Sequence, residues 1–239
     1  MDYVGKDNLE IMEEMAPTYN QFLAKKFRKI FLRYGYLPSR HILDFGAGIG
    51  SLAVELRNLG MENVHCLEID LGMQQIMQNR GLVVYPVISK LPEKYSFVYM
   101  SNVLEHIDDD ESLLSSIRNE VMAKSSVLVI YVPAFPLLFS ELDEQVGHYR
   151  RYTANTLRSV VKTAGLHIED CRYVDSLGFM ALFFLKFALK RNLSLSSNRL
   201  LLRVYDKLIF PLSRTLDHLG LDRFFGKNVL LVATKSPDF

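Results

Sequence analysis

The stretch HILDFGAGIGSLA, residues 41–53, decides how the rest of the chain reads. An apolar run ending in an acid, Asp44, is followed at once by glycines at 46, 48 and 50. Glycine has no Cβ, so the backbone can turn sharply after a strand and approach a ligand closely, and the next helix offers unpaired N–H groups at its start. The stretch therefore reads as strand, glycine loop, helix. Outward from it, the short β-branched runs HILDF, VHCLE, LVVYPV, FVYMS and VLVIYV read as successive buried strands. Residues 51–59, 72–79 and 111–121 lie between them and are long enough for crossover helices. Strand and helix alternating in this way predict a doubly wound α/β fold, with a mostly parallel sheet covered on both faces.

The flanks complete that plan. Tyr19, Leu23, Phe27, Ile30, Phe31 and Tyr34 recur at helical spacing, which predicts an amphipathic helix over residues 18–34, stopped by Gly35 and Pro38. After the fifth strand, Pro133 and Pro136 open a loop, PAFPLLFSELDEQVGHYRRYT, that is a candidate substrate wall. Thr153 is placed to cap a helix ended by Gly165; LHIEDCRYV and VLLVAT then supply a sixth and a seventh strand. The chain reads as one domain over 1–239: a helical segment at 1–35, a sheet core at 36–174 and 228–236, and a helical cap inserted at 175–227.

Composition removes several function classes. With 239 residues and a formal net charge of +1, the chain has no global pull toward a polyanion, and no nucleic-acid partner is expected. The two cysteines, Cys66 and Cys171, have no metal-ligand or redox spacing, so neither a metal centre nor a disulfide is expected. The first residues are acidic where a secretory signal would be basic, which points to the cytoplasm. The most apolar window, SLGFMALFFLKFALK, is shorter than the roughly 20 residues of a membrane span and contains Lys186.

Two ligands could use the glycine loop: a dinucleotide with its pyrophosphate, or S-adenosylmethionine with its zwitterionic methionine arm. Asp44 separates them, because a carboxylate repels a pyrophosphate but accepts hydrogen bonds from an ammonium. The dinucleotide fingerprint also wants a third small residue three positions after its second glycine, and Ser51 there is a tolerable but poorer match. Glu68 ends the second strand eighteen positions after Gly50 and can bridge ribose hydroxyls, with Asp70 as its rival or as a helix cap.

Taken in order, ILDFGAGIG, the LE closing the second strand, YSFVYMSNVLEHI and VLVIYVP resemble the class I S-adenosylmethionine-dependent methyltransferases, over about residues 36–174 and again at the last strand. The resemblance implies a Rossmann-like sheet of seven strands with the last antiparallel, and S-adenosyl-L-methionine as cofactor. It places Gly46, Ala47, Gly48 and Gly50 around the methionine arm, Glu68 on the ribose, Ile69 among the cofactor-binding residues, and residues 102–106, beginning with Asn102, along the cofactor. In relatives an aromatic such as Tyr19 lids the cofactor; its periodic company here equally suits core packing. One departure stands out. Relatives carry an adenine-binding acid after the third strand, whereas this chain reads PVISKLP, leaving Ser89, backbone and apolar walls for the adenine.

Methyl transfer from a sulfonium is an in-line displacement whose rate comes chiefly from positioning. A general base helps where the acceptor is a hydroxyl or a protonated amine, and His148 and His106 are the candidates. Tyr149, Arg150 and Arg151 could form an anion and aromatic surface for the acceptor; the alternative is a loop tied down by arginine pairing to Asp143 or Glu144. From Arg172 to the end, eleven basic residues stand against five acidic ones, and Phe179, Leu182, Phe183 and Phe187 alternate with Lys186 and Lys190 at helical spacing. That composition suits peripheral membrane contact through residues 176–215 or an acyl-chain groove, or else two cap helices that bury these faces against each other with Leu201, Val204, Tyr205, Leu208 and Ile209. The reading is a methyltransferase acting on a small-molecule or lipid-linked acceptor. A non-catalytic cofactor-binding module at the membrane and a dinucleotide-dependent reductase are the alternatives.

Overall fold

A computed structural model describes residues 6–187 and 199–235. Seven strands, β1 (Ile42–Phe45), β2 (Val64–Leu67), β3 (Val83–Tyr85), β4 (Tyr95–Ser101), β5 (Met122–Pro133), β6 (His167–Val174) and β7 (Asn228–Lys235), form one sheet in the order β3-β2-β1-β4-β5-β7-β6. Pairs among β1 to β5 are parallel, while β7 runs antiparallel to both β5 and β6. The order reverses between β1 and β4, so the carboxyl ends of these two strands frame the crevice where open α/β sheets bind ligands.

Ten α-helices complete the described chain: α1 (Lys6–Met15), α2 (Pro17–Arg33), α3 (Ser51–Asn58), α4 (Leu71–Asn79), α5 (Asp110–Ser116), α6 (Glu141–Gln145), α7 (Ala154–Thr163), α8 (Ser176–Phe187), α9 (Arg199–Val204) and α10 (Phe210–His218). Alternation along the strands sorts the core into two layers. Leu43, Phe45, Val98, Met100, Leu128 and Ile130 share one cluster with Leu114 of α5 and Leu157 of α7. Ile42, Phe97, Tyr99, Val127 and Val129 share the other with Phe27 and Phe31 of α2 and Leu56 of α3. Full burial of each such aromatic or branched side chain contributes about 1.5–3 kcal/mol. Asp44 falls in the strand position that faces the second layer, between Cys66 and Tyr99 in the register, and this is why it is buried.

The local signals behave as the residue types require. Asp70 caps α4, its Oδ1 accepting from the Met73 N–H at 2.9 Å, and Thr153 caps α7 by accepting from Thr156 at 3.1 Å. Gly35 and Gly165 end their helices at positive φ. The loop after β5 is more ordered than its prolines suggest: Ser140 and Asp143 close a capping box that starts α6.

The cap differs from a self-contained pair of helices. Asp175 and Ser176 donate their N–H groups to Asp217, and Leu177 N–H to Ser213 Oγ, fixing α8 on α10. Ala16 offers no side-chain acceptor at the start of α2, and the buried Asp206 supplies it from afar, accepting from Thr18 N–H at 3.0 Å and Tyr19 N–H at 2.9 Å. Tyr19 is a core residue: its hydroxyl meets that of Tyr131 at 2.5 Å and its ring packs on Phe210 at 5.0 Å. By contrast Leu201, Val204 and Leu208 stay exposed, as do Met180, Phe183, Phe184 and Phe187 on α8. Lys190 lies outside the described residues. Cys66 and Cys171 are buried free thiols. No helix among the described residues is long and apolar enough to cross a membrane.

Candidate active site

The glycine loop leaves β1 with φ of +72° at Gly46, +58° at Gly48 and +79° at Gly50, values that any Cβ would strain. Space closes the argument. A Cβ on Gly46 would stand 2.6 Å from Val103, and one on Gly50 2.6 Å from Leu82. The loop is pinned by Gly46 and Ala47 N–H groups donating to the Leu67 carbonyl at 2.9 and 3.0 Å. Gly48 N–H donates to Glu68 Oε2 at 2.8 Å, and Asp70 N–H to Glu68 Oε1 at 3.0 Å. Glu68 thus already orders the loop from the end of β2, and burial raises its carboxyl, with those N–H groups opposing.

Asp44 is only 3 % exposed, and burial pushes its carboxyl up to about 7, partly offset by the Tyr99 hydroxyl and reinforced by Glu68. Such an acid sits between neutral and charged near physiological pH until a cation reaches it. Beside it, Ile69 is 77 % exposed on the rim, an apolar side chain available to lie against a base or sugar. Asn102 follows β4 at φ +53°, its N–H donating to the Tyr131 carbonyl at 2.8 Å. Ser89 is exposed in the short 3-10 turn Ile88–Lys90 after β3. Helix α1 covers this rim: a Cβ on Gly48 would touch Leu9 at 3.0 Å, and Glu13 grips Arg80 through two 2.9 Å hydrogen bonds.

The second half of the site lies beyond β4 and β5. His106 and His148 meet with ring centroids 4.5 Å apart. Burial pushes His106 down to about 4, aided by His148 and opposed by the Gly147 and Val146 carbonyls. His148 Nδ1 lies 2.7 Å from Asp143 Oδ1, and Arg151 clasps the same carboxylate at 2.9 and 3.0 Å. Burial alone would raise the Asp143 carboxyl, but the hydrogen bonds from His148, Arg151 and Ser140 hold it well below the usual range. Arg150 reaches Asp110 at 3.1 Å and the Asp108 carbonyl at 2.7 Å; Tyr149 is exposed. Both guanidiniums are therefore engaged in fastening the loop, with Asp143, Asp108 and Asp110 as the partners.

Glu105 did not emerge as a site residue from the sequence. It is fully buried, neither carboxylate oxygen has a hydrogen-bond partner, and burial pushes it up to about 8. The signal available was an acid embedded in VLEHI, one residue before a candidate histidine.

A family of methyltransferase domains matches residues 10–170, two thirds of the chain and nearly all of the site. The chain belongs to the class I S-adenosylmethionine-dependent methyltransferase family. Solved structures share its fold at low identity. A S-adenosylmethionine-dependent methyltransferase from Archaeoglobus fulgidus superposes with a TM-score of 0.58 at 18% identity, covering 90% of this chain and 94% of that one. A chain from the complex between the Haloferax volcanii Trm112 methyltransferase activator and a methyltransferase gives 0.62 at 16%, covering 99% and 95%. Magnesium protoporphyrin IX methyltransferase from Synechocystis PCC 6803, with bound S-adenosylhomocysteine, gives 0.57 at 15%, covering 94% and 87%. No curated protein matches. The methyltransferase's cofactor is S-adenosyl-L-methionine, and the residues present suit it: a cradle that any Cβ would fill, and two buried carboxylates at adjoining strand ends.

Proposed function

We propose that this methyltransferase acts on a small amphipathic acceptor of the lipid-linked kind, held between the His148 loop and the exposed face of α8. The observation that carries this reading is a continuous aromatic path. Phe135, in the loop leading to His148, packs on Phe179 at 4.9 Å; Phe179 meets Phe183 at 6.2 Å, and Phe183 meets Phe187 at 4.7 Å. Lys186 ties the same helix to that loop through the Leu137 carbonyl at 2.8 Å and the Phe139 carbonyl. An apolar tail can follow this path while a polar head reaches the histidines.

When bound, S-adenosylmethionine supplies an electrophilic methyl group that an acceptor oxygen, nitrogen or carbon attacks in line. In this reading Asp44 meets the ammonium of the methionine arm, the backbone at Gly46, Ala47, Gly48 and Gly50 wraps it, and Glu68 bridges the ribose. Ile69, Ser89 and Asn102 line the remainder of the cofactor site. His148 and His106 meet the reacting end of the acceptor, with Tyr149, Arg150 and Arg151 shaping the loop around it. The cap between β6 and β7 brings the protein to a membrane surface from the cytoplasmic side. A non-catalytic cofactor-binding module is the second reading, favoured by the exposed Ser89 where relatives place an acid.

Tritium transfer from methyl-labelled S-adenosylmethionine tests the proposal, with a cellular lipid extract and an aqueous metabolite extract as separate acceptor pools. Label recovered in the organic phase is the expected result. Label in the aqueous pool alone removes the lipid-linked acceptor, and no label in either, with S-adenosylhomocysteine still binding, favours the module.

A further inference from the structure

The cluster at Glu105, His106 and His148 has an unmet requirement that the cofactor reading does not address. His148 Nδ1 lies 2.7 Å from Asp143, and an ionised carboxylate only accepts, so Nδ1 carries the proton and donates it. Nε2, the other ring nitrogen, points toward Glu105 and lies 3.9 Å from its Oε1. That separation is too long for a hydrogen bond, so a proton on Glu105 does not join the two. Both Glu105 oxygens lack a hydrogen-bond partner in a fully buried position. Burying such a group unmet is unfavourable, and a cation between the two would offset that cost.

Distances agree with that occupant. One ligand atom from each of Glu105, His106 and His148 comes within 4.8 Å of the other two. Ligands on a metal with bonds of about 2.0–2.1 Å stand roughly 3.3 Å apart in a tetrahedron, so shifts of under about 1 Å close the set. The surroundings also match what a metal-bound histidine requires. Asp143 fixes the tautomer and the ring of His148, and the Val146 and Gly147 carbonyls accept from the His106 ring and hold it in place.

We propose that Glu105, His106 and His148 bind one divalent transition-metal ion, Zn²⁺ being the best match to two imidazoles and a carboxylate. Three protein ligands leave a fourth position for water or an acceptor oxygen, as in open zinc sites. With Nε2 of His148 held on the ion, that nitrogen would no longer serve as a general base; the ion would instead supply Lewis-acid activation of an acceptor hydroxyl, whose proton would pass to solvent water. The site does not depend on methyl transfer, since the ion is detected by binding and not by turnover.

Chelator-stripped full chain, titrated with Zn²⁺ by calorimetry and with Co²⁺ by visible absorption, decides the matter. One ion per chain, with a Kd of about 1 µM or tighter and Co²⁺ ligand-field bands, is expected. Glu105→Gln keeps the shape and weakens binding at least about tenfold, and Asp143→Asn, acting through His148, weakens it about 10–100-fold. His65→Ala is the control, because His41 and His65 stack at 4.2 Å near Glu93 and could hold metal elsewhere; binding is unchanged in it. Absence of binding to the wild type at about 100 µM metal, or an affinity untouched by Glu105→Gln, overturns the proposal.

Discussion

At Asp44 the chain holds a carboxylate out of water at the end of β1, where the proposed function places the ammonium of the cofactor, and the pKa of about 7 records the cost of doing so. An acid raised from 3.8 to about 7 is more protonated in the folded than in the unfolded chain across that window. Its effect on stability therefore worsens as pH rises from about 4 to 7 and stays fully unfavourable above. Asp44→Asn should raise stability at pH 8 by an amount on the order of 1–4 kcal/mol, read from urea midpoints, and lose the gain at pH 4. Binding runs the other way. An ammonium favours the charged form, so wild-type affinity for S-adenosylhomocysteine should fall by up to tenfold per pH unit below 7, while that of Asp44→Asn stays flatter. At pH 8 the variant should bind about 10–100-fold more weakly, the worth of a charge-assisted hydrogen bond. Glu68 is present in both proteins, so the difference between the two profiles isolates Asp44. Matching profiles from calorimetry would put the ammonium elsewhere.

Among the elements, α8 is the one whose sequence and packing disagree. A helix reading SLGFMALFFLKF would ordinarily be enclosed, yet Phe184 is 58 % exposed and Met180, Phe183 and Phe187 share its exposure. The start of α8 is fixed through Asp217 and Ser213 of α10 and its end through Lys186, while its aromatic face between them stays open, and Leu200 and Leu201 of α9 face outward as well. A hydrophobic face carrying Lys186 has the composition of an interfacial helix. Flotation with vesicles of phosphatidylglycerol and phosphatidylcholine should recover the wild type in the lipid fraction. Phe184→Asp should reduce that recovery several-fold without lowering the melting temperature, because the side chain is exposed. Equal flotation of the two proteins would remove α8 from the contact; no flotation of either would remove the membrane.

Across the whole molecule, what the sequence disclosed and what it hid divide by the range of the interactions. The strand runs, the glycine loop, Glu68 at the end of β2, and the caps at Asp70 and Thr153 depend on neighbours a few residues away, so pattern alone located them. Residues joined across the fold gave no such pattern. Asp206 caps a helix 188 positions earlier, and the His148 to Glu105 approach spans the 3-10 turn after β4 and the loop after β5. No short spacing announces a ligand set of that kind, and the expectation of no metal centre rested on cysteine spacing. The crevice proposed for the cofactor, by contrast, gathers its parts from α1, the glycine loop and the ends of β1, β2 and β4, so a ligand there should stabilise the fold as a unit. At 100 times its Kd, S-adenosylhomocysteine contributes about 2.7 kcal/mol, which for a chain of this size raises Tm by about 5–10 °C. NADH at the same concentration should leave Tm unchanged, since its pyrophosphate would face Asp44. A shift with NADH and none with S-adenosylhomocysteine would refute the role given to Asp44, because the glycine loop would then be cradling phosphate.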